Sequence, residues 1–276
     1  MGSNEYDDEK PVHPVNVGAF CMDVMEVTTD AYSACVRAGR CTPADTSSNC
    51  NAGQAGRGNH PINCVNWNQA TAHCTSLGKR LPTEEEWEYG ARGSEGRKYP
   101  WGDTEPGAQL CWDGNGNDLG KGNRKSTCTV GSYPAGKSPF GLMDMAGNVW
   151  EWTASGYSDD CSKTRASAAR VNRGGSWNND NPANVRGANR NRNTPTNRNN
   201  NLGFRCARRR RSPTERSRSP RPCSAAPRPG PWPQARRADE PPPRLPVRRP
   251  RRRRCPWSVG LMGVGSGARG IGHGRK

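Results

Sequence analysis

The sequence predicts one loop-rich α+β domain followed by a disordered basic tail. Three short helical patterns stand among many turns rich in Gly, Pro, Asn and Asp, a mixture typical of an α+β domain with little regular structure. Charge divides the chain, because residues 1–206 carry 22 Lys+Arg and 22 Asp+Glu, whereas residues 207–276 carry 20 and 3. The formal net charge of +17 therefore lies entirely in the tail.

We place the globular domain at residues 1–207 and the tail at 208–276. The tail holds 13 of the 24 prolines and no apolar period, so it cannot bury enough surface to offset the entropy of ordering and we predict disorder. Two interpretations stay open. The Arg run at 248–254 would bind nucleic acid by neutralising phosphates, or the tail is an incorrectly read frame of a GC-rich gene. A nucleic-acid partner is expected only if the tail is real.

The first two helical patterns are short. Residues 26–38 place Ala31, Cys35 and Ala38 along one side, and residues 68–77 form the second pattern, each closed by a glycine. Short apolar segments that are candidates for buried strands lie at 15–20, 65–67 and 149–152.

The third helix has the clearest signal, in LPTEEEWEYGARG (81–93). Thr83 as N-cap and Glu86 three residues later form a capping box, and negative charge in the first turn suits the helix dipole. Trp87 begins the buried side. The three glutamates resemble the acid pair of an enzyme, but the capping argument favours a solvated first turn.

The cysteine pattern indicates disulfides. Ten cysteines are scattered through the domain with no C-x-x-C, and the whole chain has four histidines, so a zinc or iron site is disfavoured. Disulfides imply an oxidising environment, which predicts an extracellular, periplasmic or cell-surface location. No signal peptide is visible, and no apolar run is long enough for a membrane span.

Five motifs, in order, carry a resemblance. They are the opening GSNEYDDEKPVHPVNVGAFCMDVMEVTTDAY, then HPINCVNWNQATAHCTSLGKRLPTEEEWEYGARG, YPWGD, SPFGLMDMAGNVWEWT, and finally RGGSW followed by NLGFRCA. The chain resembles the formylglycine-generating enzyme family, also called sulfatase-modifying factors, over about 205 residues. The resemblance implies a C-type-lectin-like fold.

The enzymes of that family oxidise a sulfatase cysteine to formylglycine, using two cysteines that hold copper. Soft thiolates suit Cu(I). Counted from the shared RGGS, those positions are Asn179 and Asn184 here, and a carboxamide cannot replace a thiolate. We therefore expect no copper and no catalysis. The alternatives are an oxidase that uses unrecognised chemistry and a silent paralogue of the enzyme.

The resemblance also implies a disulfide and a metal site. A family disulfide corresponds to Cys74 and Cys206. The family binds calcium around its G-N-x-W-E-W motif, where carboxylate and carbonyl oxygens suit Ca²⁺, and the alternative is a bare turn with its tryptophans in the core. The corresponding calcium ligands are Asp144, Gly147, Val149 and Glu151.

Residues 172–201 contain twelve asparagines in thirty positions. Asn favours neither helix nor strand, so these residues are expected at the surface. The stretch resembles the variable region of proteins diversified by retroelements, in which adenines of a template are misread and Asn codons become targets. As a surface, Asn offers both donors and acceptors. The alternative is a set of hydrogen-bonded turns in an ordinary paralogue.

We therefore predict a non-catalytic protein that binds an unknown protein or glycan ligand. The predicted ligand-binding residues are Asn178, Asn179, Asn181, Asn184, Asn189, Asn191, Asn193, Asn199 and Asn200. The residues expected to hold the backbone beneath them are Gly174, Gly175, Trp177, Arg186 and Arg190.

Overall fold

The computed structural model describes residues 1–47, 49–114, 121–163 and 168–210. Within these ranges the chain forms three α-helices and six short strands, joined by long turns. The prediction of a disordered tail falls almost entirely on residues 211–276, which lie outside the described residues.

The first helix, α1, spans Thr29–Arg37 and begins three residues later than predicted. The reason is local: the Thr28 side chain accepts a hydrogen bond from the Ala31 amide and caps the helix. Its buried side carries Thr29, Tyr32 and Cys35, whereas Ala31 and Ala38 are exposed. The predicted Ala31–Cys35–Ala38 face was wrong in both alanines, because the Tyr32 ring contributes the apolar area that packs inward.

The second helix, α2, spans Trp67–Ser76, and the third, α3, spans Glu84–Arg92. Both begin with a capping box. In α3 the Thr83 side chain accepts from the Glu86 amide while the Glu86 carboxylate accepts from the Thr83 amide at 2.9 Å. The predicted capping box is confirmed, and Trp87 is fully buried.

The prediction of a solvated first turn in α3 was wrong. In that turn Glu84 and Glu86 are 3% and 8% exposed and Glu85 is half-buried; Glu88, one turn further on, is 3% exposed. Glu86 pairs with the nearby Arg80, whereas Glu84 and Glu88 pair with Arg190 and Arg173, which lie 106 and 85 residues further along the chain. Burial of a carboxylate requires such a partner.

Four strands form the main sheet in the order β4-β3-β2-β5. β2 pairs antiparallel with β3 and parallel with β5, and β3 pairs antiparallel with β4. A second, two-stranded sheet pairs β1 antiparallel with β6. The strands span Phe20–Met22 (β1), Trp150–Gly156 (β2), Arg170–Arg173 (β3), Arg190–Asn193 (β4), Leu202–Gly203 (β5) and Ala207–Arg209 (β6).

The apolar segments predicted as strands had mixed outcomes. The segment at 149–152 enters β2, and its two tryptophans lie in the core with Leu202 and Phe204. The segment at 15–20 contributes only Phe20 to β1, and 65–67 leads into α2 instead of forming a strand. The core therefore lies between α2 and the face of the main sheet that carries the tryptophans.

Disulfides crosslink the domain. Cys74–Cys206 is present and joins α2 to the residue before β6 across a sequence separation of 132 residues. Cys21 is also disulfide-bonded, so the predicted disulfides are confirmed, and Cys161 is a buried free thiol. The other bridges with both partners among the described residues are Cys35–Cys41, Cys50–Cys64 and Cys111–Cys128.

Candidate functional site

The Asn-rich stretch leaves β3, passes through a short 3-10 helix at Pro182–Val185, forms β4 and ends before β5. All nine predicted ligand-binding asparagines are exposed or half-buried. We call the surface that these nine residues form the Asn face. The exposed members are Asn178, Asn181 and Asn191, and the half-buried members are Asn179, Asn184, Asn189, Asn193, Asn199 and Asn200.

Two glycines turn the backbone into this stretch. Gly174 and Gly175 have φ of +100° and +73°, a region that L side chains rarely adopt. A Cβ on Gly174 would lie 3.0 Å from the Trp87 ring, and one on Gly175 would lie 2.7 Å from the carbonyl oxygen of Asn184. The turn therefore requires glycine for its conformation and for its close packing.

Three arginines within the stretch point inward and anchor it. Arg186 forms two hydrogen bonds with Glu9 (2.5 and 3.0 Å), and Arg190 forms two with Glu84 (2.6 and 3.0 Å). Arg173 pairs with Glu88 and also donates to the backbone carbonyls of residues 187–189. The arginines are at most 6% exposed. We call these three pairs the arginine anchors, and they fix the backbone from beneath while the asparagines stay at the surface.

Several side chains of the Asn face also form local hydrogen bonds. The Asn179 Oδ1 accepts from the backbone amide and hydroxyl of Ser176 at 2.8 and 3.0 Å. Asn181 caps the short 3-10 helix by accepting from the Ala183 amide. Hydrogen-bonded turns therefore account for part of the stretch. Within the described residues, the Asn191 side chain accepts a hydrogen bond only from the amide of Arg192, the next residue.

Three asparagines of the stretch that were not predicted as ligand-binding are structural. Asn172 is fully buried. The Asn197 Oδ1 accepts three hydrogen bonds that close the turn after β4. Asn201 donates to Asn178 Oδ1 at 3.1 Å. The sequence does not distinguish these three from the other nine, because they differ only in their tertiary surroundings.

The positions of the family's copper cysteines lie on the Asn face. Asn179 is held by Ser176, and Asn184 lies in the 3-10 helix, where its amide donates to the Asn181 carbonyl at 3.0 Å. The sequence has no cysteine between Cys161 and Cys206. Neither carboxamide supplies the thiolate that Cu(I) prefers.

Of the predicted calcium ligands, Asp144, Gly147 and Val149 lie in the turn before β2, and Glu151 is the second residue of β2. Asp144 has φ +55°, and its Oδ2 accepts from the Gly131 amide at 2.6 Å. Glu151 is fully buried, pairs with Arg205 through two 2.7 Å hydrogen bonds and accepts from the Trp87 indole at 2.9 Å. Gly147 also has positive φ, and a Cβ there would lie 2.4 Å from the Cys111 carbonyl oxygen.

Glu26 is a functional candidate that the sequence reasoning missed. It is 3% exposed, and its carboxylate accepts from the Asn148 side chain at 2.7 Å and from the Val149 amide at 3.3 Å. Burial raises the pKa of Glu26 well above its usual value, and repulsion from the carboxylates of Asp144 and Glu151 adds to the rise. The sequence pattern places Glu26 at the start of the predicted helix, and no local signal marks it as buried, because its partners Asn148 and Val149 lie 122 and 123 residues away.

Three buried carboxylates, those of Glu26, Asp144 and Glu151, therefore share the charge of a single guanidinium, that of Arg205, which forms hydrogen bonds with Glu151. Burial also raises the pKa of Asp144, to about 6. An excess of buried negative charge is unfavourable unless a cation compensates it. Carboxylate and carbonyl oxygens are the donor types that Ca²⁺ takes, so the residue types suit such an ion, while in this structure the Glu151 oxygens bond to Arg205 and Trp87 and one Asp144 oxygen bonds to the Gly131 amide.

Residues 1–210 match the family model described as the sulfatase-modifying factor enzyme 1-like domain. The chain belongs to the sulfatase-modifying factor family. The match covers almost all of the described residues.

Similar members of the sulfatase-modifying factor family include active and inactive proteins. The chain is 43% identical over 157 residues to the inactive C-alpha-formylglycine-generating enzyme 2 of Bos taurus, covering 53% of this chain and 50% of that protein. It is also 43% identical over 171 residues to the formylglycine-generating enzyme of Streptomyces coelicolor, covering 55% and 54%. The chain spans about half the length of the curated relatives that it matches, and overall identity does not separate the two classes.

A solved structure shows the same fold. Treponema denticola variable protein 1 superposes with a TM-score of 0.60 at 24% identity, covering 76% of this chain and 91% of that one. The predicted α+β, lectin-like architecture of the sulfatase-modifying factor family is therefore confirmed.

The location follows in part from the disulfides. Four bridges within the described residues are typical of a protein that folds in an oxidising, extracellular environment. Across the described ranges, every helix is too short or too polar to cross a membrane.

Proposed function

We propose that this sulfatase-modifying factor domain is a non-catalytic binding protein that presents residues 178–200 to a protein or glycan ligand. The observation that carries the proposal is the division of the Asn-rich stretch. Its nine predicted asparagines lie at the surface, while its arginine anchors and glycines hold the backbone from beneath.

The chemistry of the Asn face supports recognition. Each carboxamide offers two donors and an acceptor, and Asn is favoured in adaptable recognition loops. The exposed charges within the stretch are Asp180, Arg192 and Arg198. Asp180 pairs with Lys121 at 3.5 Å, and Arg192 lies 3.9 Å from Asp159. A diversified surface on a fixed scaffold would accept many side chains at these positions.

The non-catalytic part of the proposal rests on the two copper positions. With Asn179 and Asn184 in place of cysteines, we expect no aldehyde on a C-x-P-x-R peptide incubated with the protein, oxygen and copper. Mass spectrometry of the peptide is the measurement, and a copper-dependent aldehyde would instead support an oxidase with unrecognised chemistry.

A structural calcium ion completes the proposal. Asp144, Glu151, Glu26 and the backbone carbonyls of Gly147 and Val149 would hold it, and a divalent cation would offset the buried negative charge. The ion would rigidify the turn that leads into β2. We further propose a periplasmic, extracellular or cell-surface location, in keeping with the disulfides.

The decisive experiment is a display library in which all nine codons of the Asn face are randomised. We expect most members to fold, with a stability change of about 0.5 kcal/mol or less per position, as at other surface sites, and about 1 kcal/mol at Asn179 and Asn181, whose side chains accept hydrogen bonds from the backbone. Selection against a panel of proteins and glycans should enrich binders that differ at these positions.

A control library keeps the Asn face and randomises nine exposed residues elsewhere: Arg37, Arg40, Gln54, Asn59, Asn68, Thr75, Lys125, Ser132 and Lys137. It should fold as well and yield few binders. The proposal fails if the Asn-face library unfolds, or if both libraries give binders at equal frequency.

A further inference from the structure

Two cysteines and a histidine converge away from the Asn face. The sulfur atoms of Cys35 and Cys41 and a ring nitrogen of His73 all lie within 4.8 Å of one another. Cys35 lies in the last turn of α1, Cys41 follows in the next loop, and His73 lies on α2. In this structure a disulfide joins the two cysteines.

The imidazole is held in place and directed at the sulfur. His73 is 3% exposed, and its Nδ1 lies 3.9 Å from Cys41 Sγ. Its ring stacks on Tyr32 and meets Phe204 edge-on, with both centroid distances at 5.5 Å. Burial lowers the pKa of His73 to about 4, so the ring is neutral near pH 7 and retains a lone pair.

The chemistry of this cluster depends on the oxidation state of its sulfur atoms. A disulfide sulfur is a poor ligand, whereas two thiolates and a neutral imidazole form a Cys₂His set that suits Zn²⁺. Cys41 is half-buried, so a small dithiol can reach the bridge from solvent. Ser76 also lies beside the cluster, with its hydroxyl 3.4 Å from Cys35 Sγ.

We propose that reduction of the Cys35–Cys41 disulfide creates a zinc site in which Cys35, Cys41 and His73 are the ligands. A dithiol supplies two electrons and two protons, is itself oxidised to a disulfide and leaves two cysteine thiols. Zn²⁺ then displaces both thiol protons, and water takes the fourth position. Under oxidising conditions a covalent bond joins the end of α1 to the loop that follows it, and under reducing ones the metal would link both to α2 through His73.

The test uses the full chain, reduced with excess dithiol and then freed of it without oxygen. Co²⁺ is the probe, because its thiolate complexes absorb through charge transfer. We expect one equivalent of Co²⁺ with thiolate absorption after reduction, none before it, and displacement by Zn²⁺. His73→Gln should weaken Co²⁺ binding by about tenfold or more.

The matched control is the double variant Cys50→Ser and Cys64→Ser, which removes another short-range bridge and leaves the cluster intact. It should bind Co²⁺ as the unaltered chain does. The absence of thiolate absorption in the reduced chain, or equal binding by His73→Gln, overturns the proposal.

Alkylation gives a second readout that does not depend on the His73 variant folding. Zn²⁺ added to the reduced chain should slow iodoacetamide labelling of Cys35 and Cys41 by about tenfold or more relative to Cys50 and Cys64, as resolved by peptide mass spectrometry. Equal labelling of all four cysteines contradicts a site at Cys35 and Cys41.

Discussion

At the scale of single residues, arginines with similar sequence neighbours have opposite roles. Arg190 and Arg192 are two positions apart on β4, yet Arg190 is 6% exposed and Arg192 is exposed. Arg190 holds the Glu84 carboxylate with two hydrogen bonds, whereas the nearest acidic atom to Arg192 is 3.9 Å away. Residues two apart on a strand lie on the same face, so strand alternation does not separate them; the buried Glu84 carboxylate beside Arg190 does.

Arg190→Met should therefore destabilise the domain by about 3 kcal/mol, because it removes both arginine hydrogen bonds of the buried Glu84 carboxylate and leaves Arg173 at 3.5 Å as its remaining cation. Arg192→Met, the matched control, should change the free energy of unfolding by about 0.5 kcal/mol or less. Urea denaturation of both variants measures the difference. Equal losses of unfolding free energy in the two variants would contradict a stabilising role for the Arg190–Glu84 pair.

The pKa of Asp144, raised to about 6 from 3.8, gives a pH dependence in the metal-free protein. The folded state holds this proton more tightly than the unfolded state does, so the associated stability is complete below pH 3.8 and is lost as the pH rises through 6. Relative to Asp144→Asn, the metal-free chain should lose on the order of 3 kcal/mol across that window.

Ca²⁺ should offset this loss, because the ion stabilises the ionised carboxylates. At a hundredfold excess of free Ca²⁺ over its dissociation constant, the gain is about 2.7 kcal/mol. Thermal unfolding at pH 4 and pH 7, with and without Ca²⁺, tests both effects. A chain that responds equally to Ca²⁺ and Mg²⁺, or to neither, contradicts the site.

At the scale of elements, the turn between β3 and the short 3-10 helix is the most constrained segment of the Asn-rich stretch. Its backbone is reversed by two consecutive glycines with positive φ. Their neighbours are the Trp87 ring and the Asn184 carbonyl, which belong to the core side of the turn. This turn positions the first residues of the Asn face.

Gly175→Ala should lower the free energy of unfolding by more than the roughly 1 to 2 kcal/mol of the left-handed backbone alone, because its Cβ would lie 2.7 Å from a carbonyl oxygen. Gly39→Ala is the control, since Gly39 has φ +68° and open space around its Cβ position. Denaturant titration of the two variants should rank Gly175→Ala as clearly less stable; the same loss in both would remove the packing argument.

The sequence predicted those features whose determining residues lie within a few positions of one another. The capping box of α3 was readable because Thr83 and Glu86 meet across one turn. The burial of Glu84 was not, because its partner Arg190 lies 106 residues away. For the same reason the twelve asparagines could be assigned to the surface as a group, but Asn172 could not be recognised as buried.

At the scale of the whole molecule, crosslinks between distant segments replace extensive regular structure. In the part of the chain that the structure describes, the longest helix has 10 residues and the longest strand has 7. The Cys74–Cys206 bridge joins α2 to the residue before the last strand, β6. In the chain-entropy model the stabilisation by a disulfide grows with the loop that it closes.

Removal of Cys74–Cys206 by a double Ala substitution should therefore cost about 2 kcal/mol more than removal of Cys50–Cys64, whose separation is 14 instead of 132 residues. All four cysteines are buried, so the cavity terms are similar. Differential scanning calorimetry of the two double variants makes the comparison. If removal of Cys50–Cys64 costs more stability than removal of Cys74–Cys206, packing around the bridges outweighs the difference in loop entropy.

The arginine anchors have a consequence for the gene. Arginine codons of the CGN type and all glycine codons of the GGN type lack adenine in their first two positions, whereas both asparagine codons carry adenine there. Mutation directed at template adenines would then alter the Asn face and leave Arg173, Arg186 and Arg190 unchanged. The nucleotide sequence of the gene tests this: CGN codons at all three positions would keep the arginine anchors unchanged while the Asn face varies.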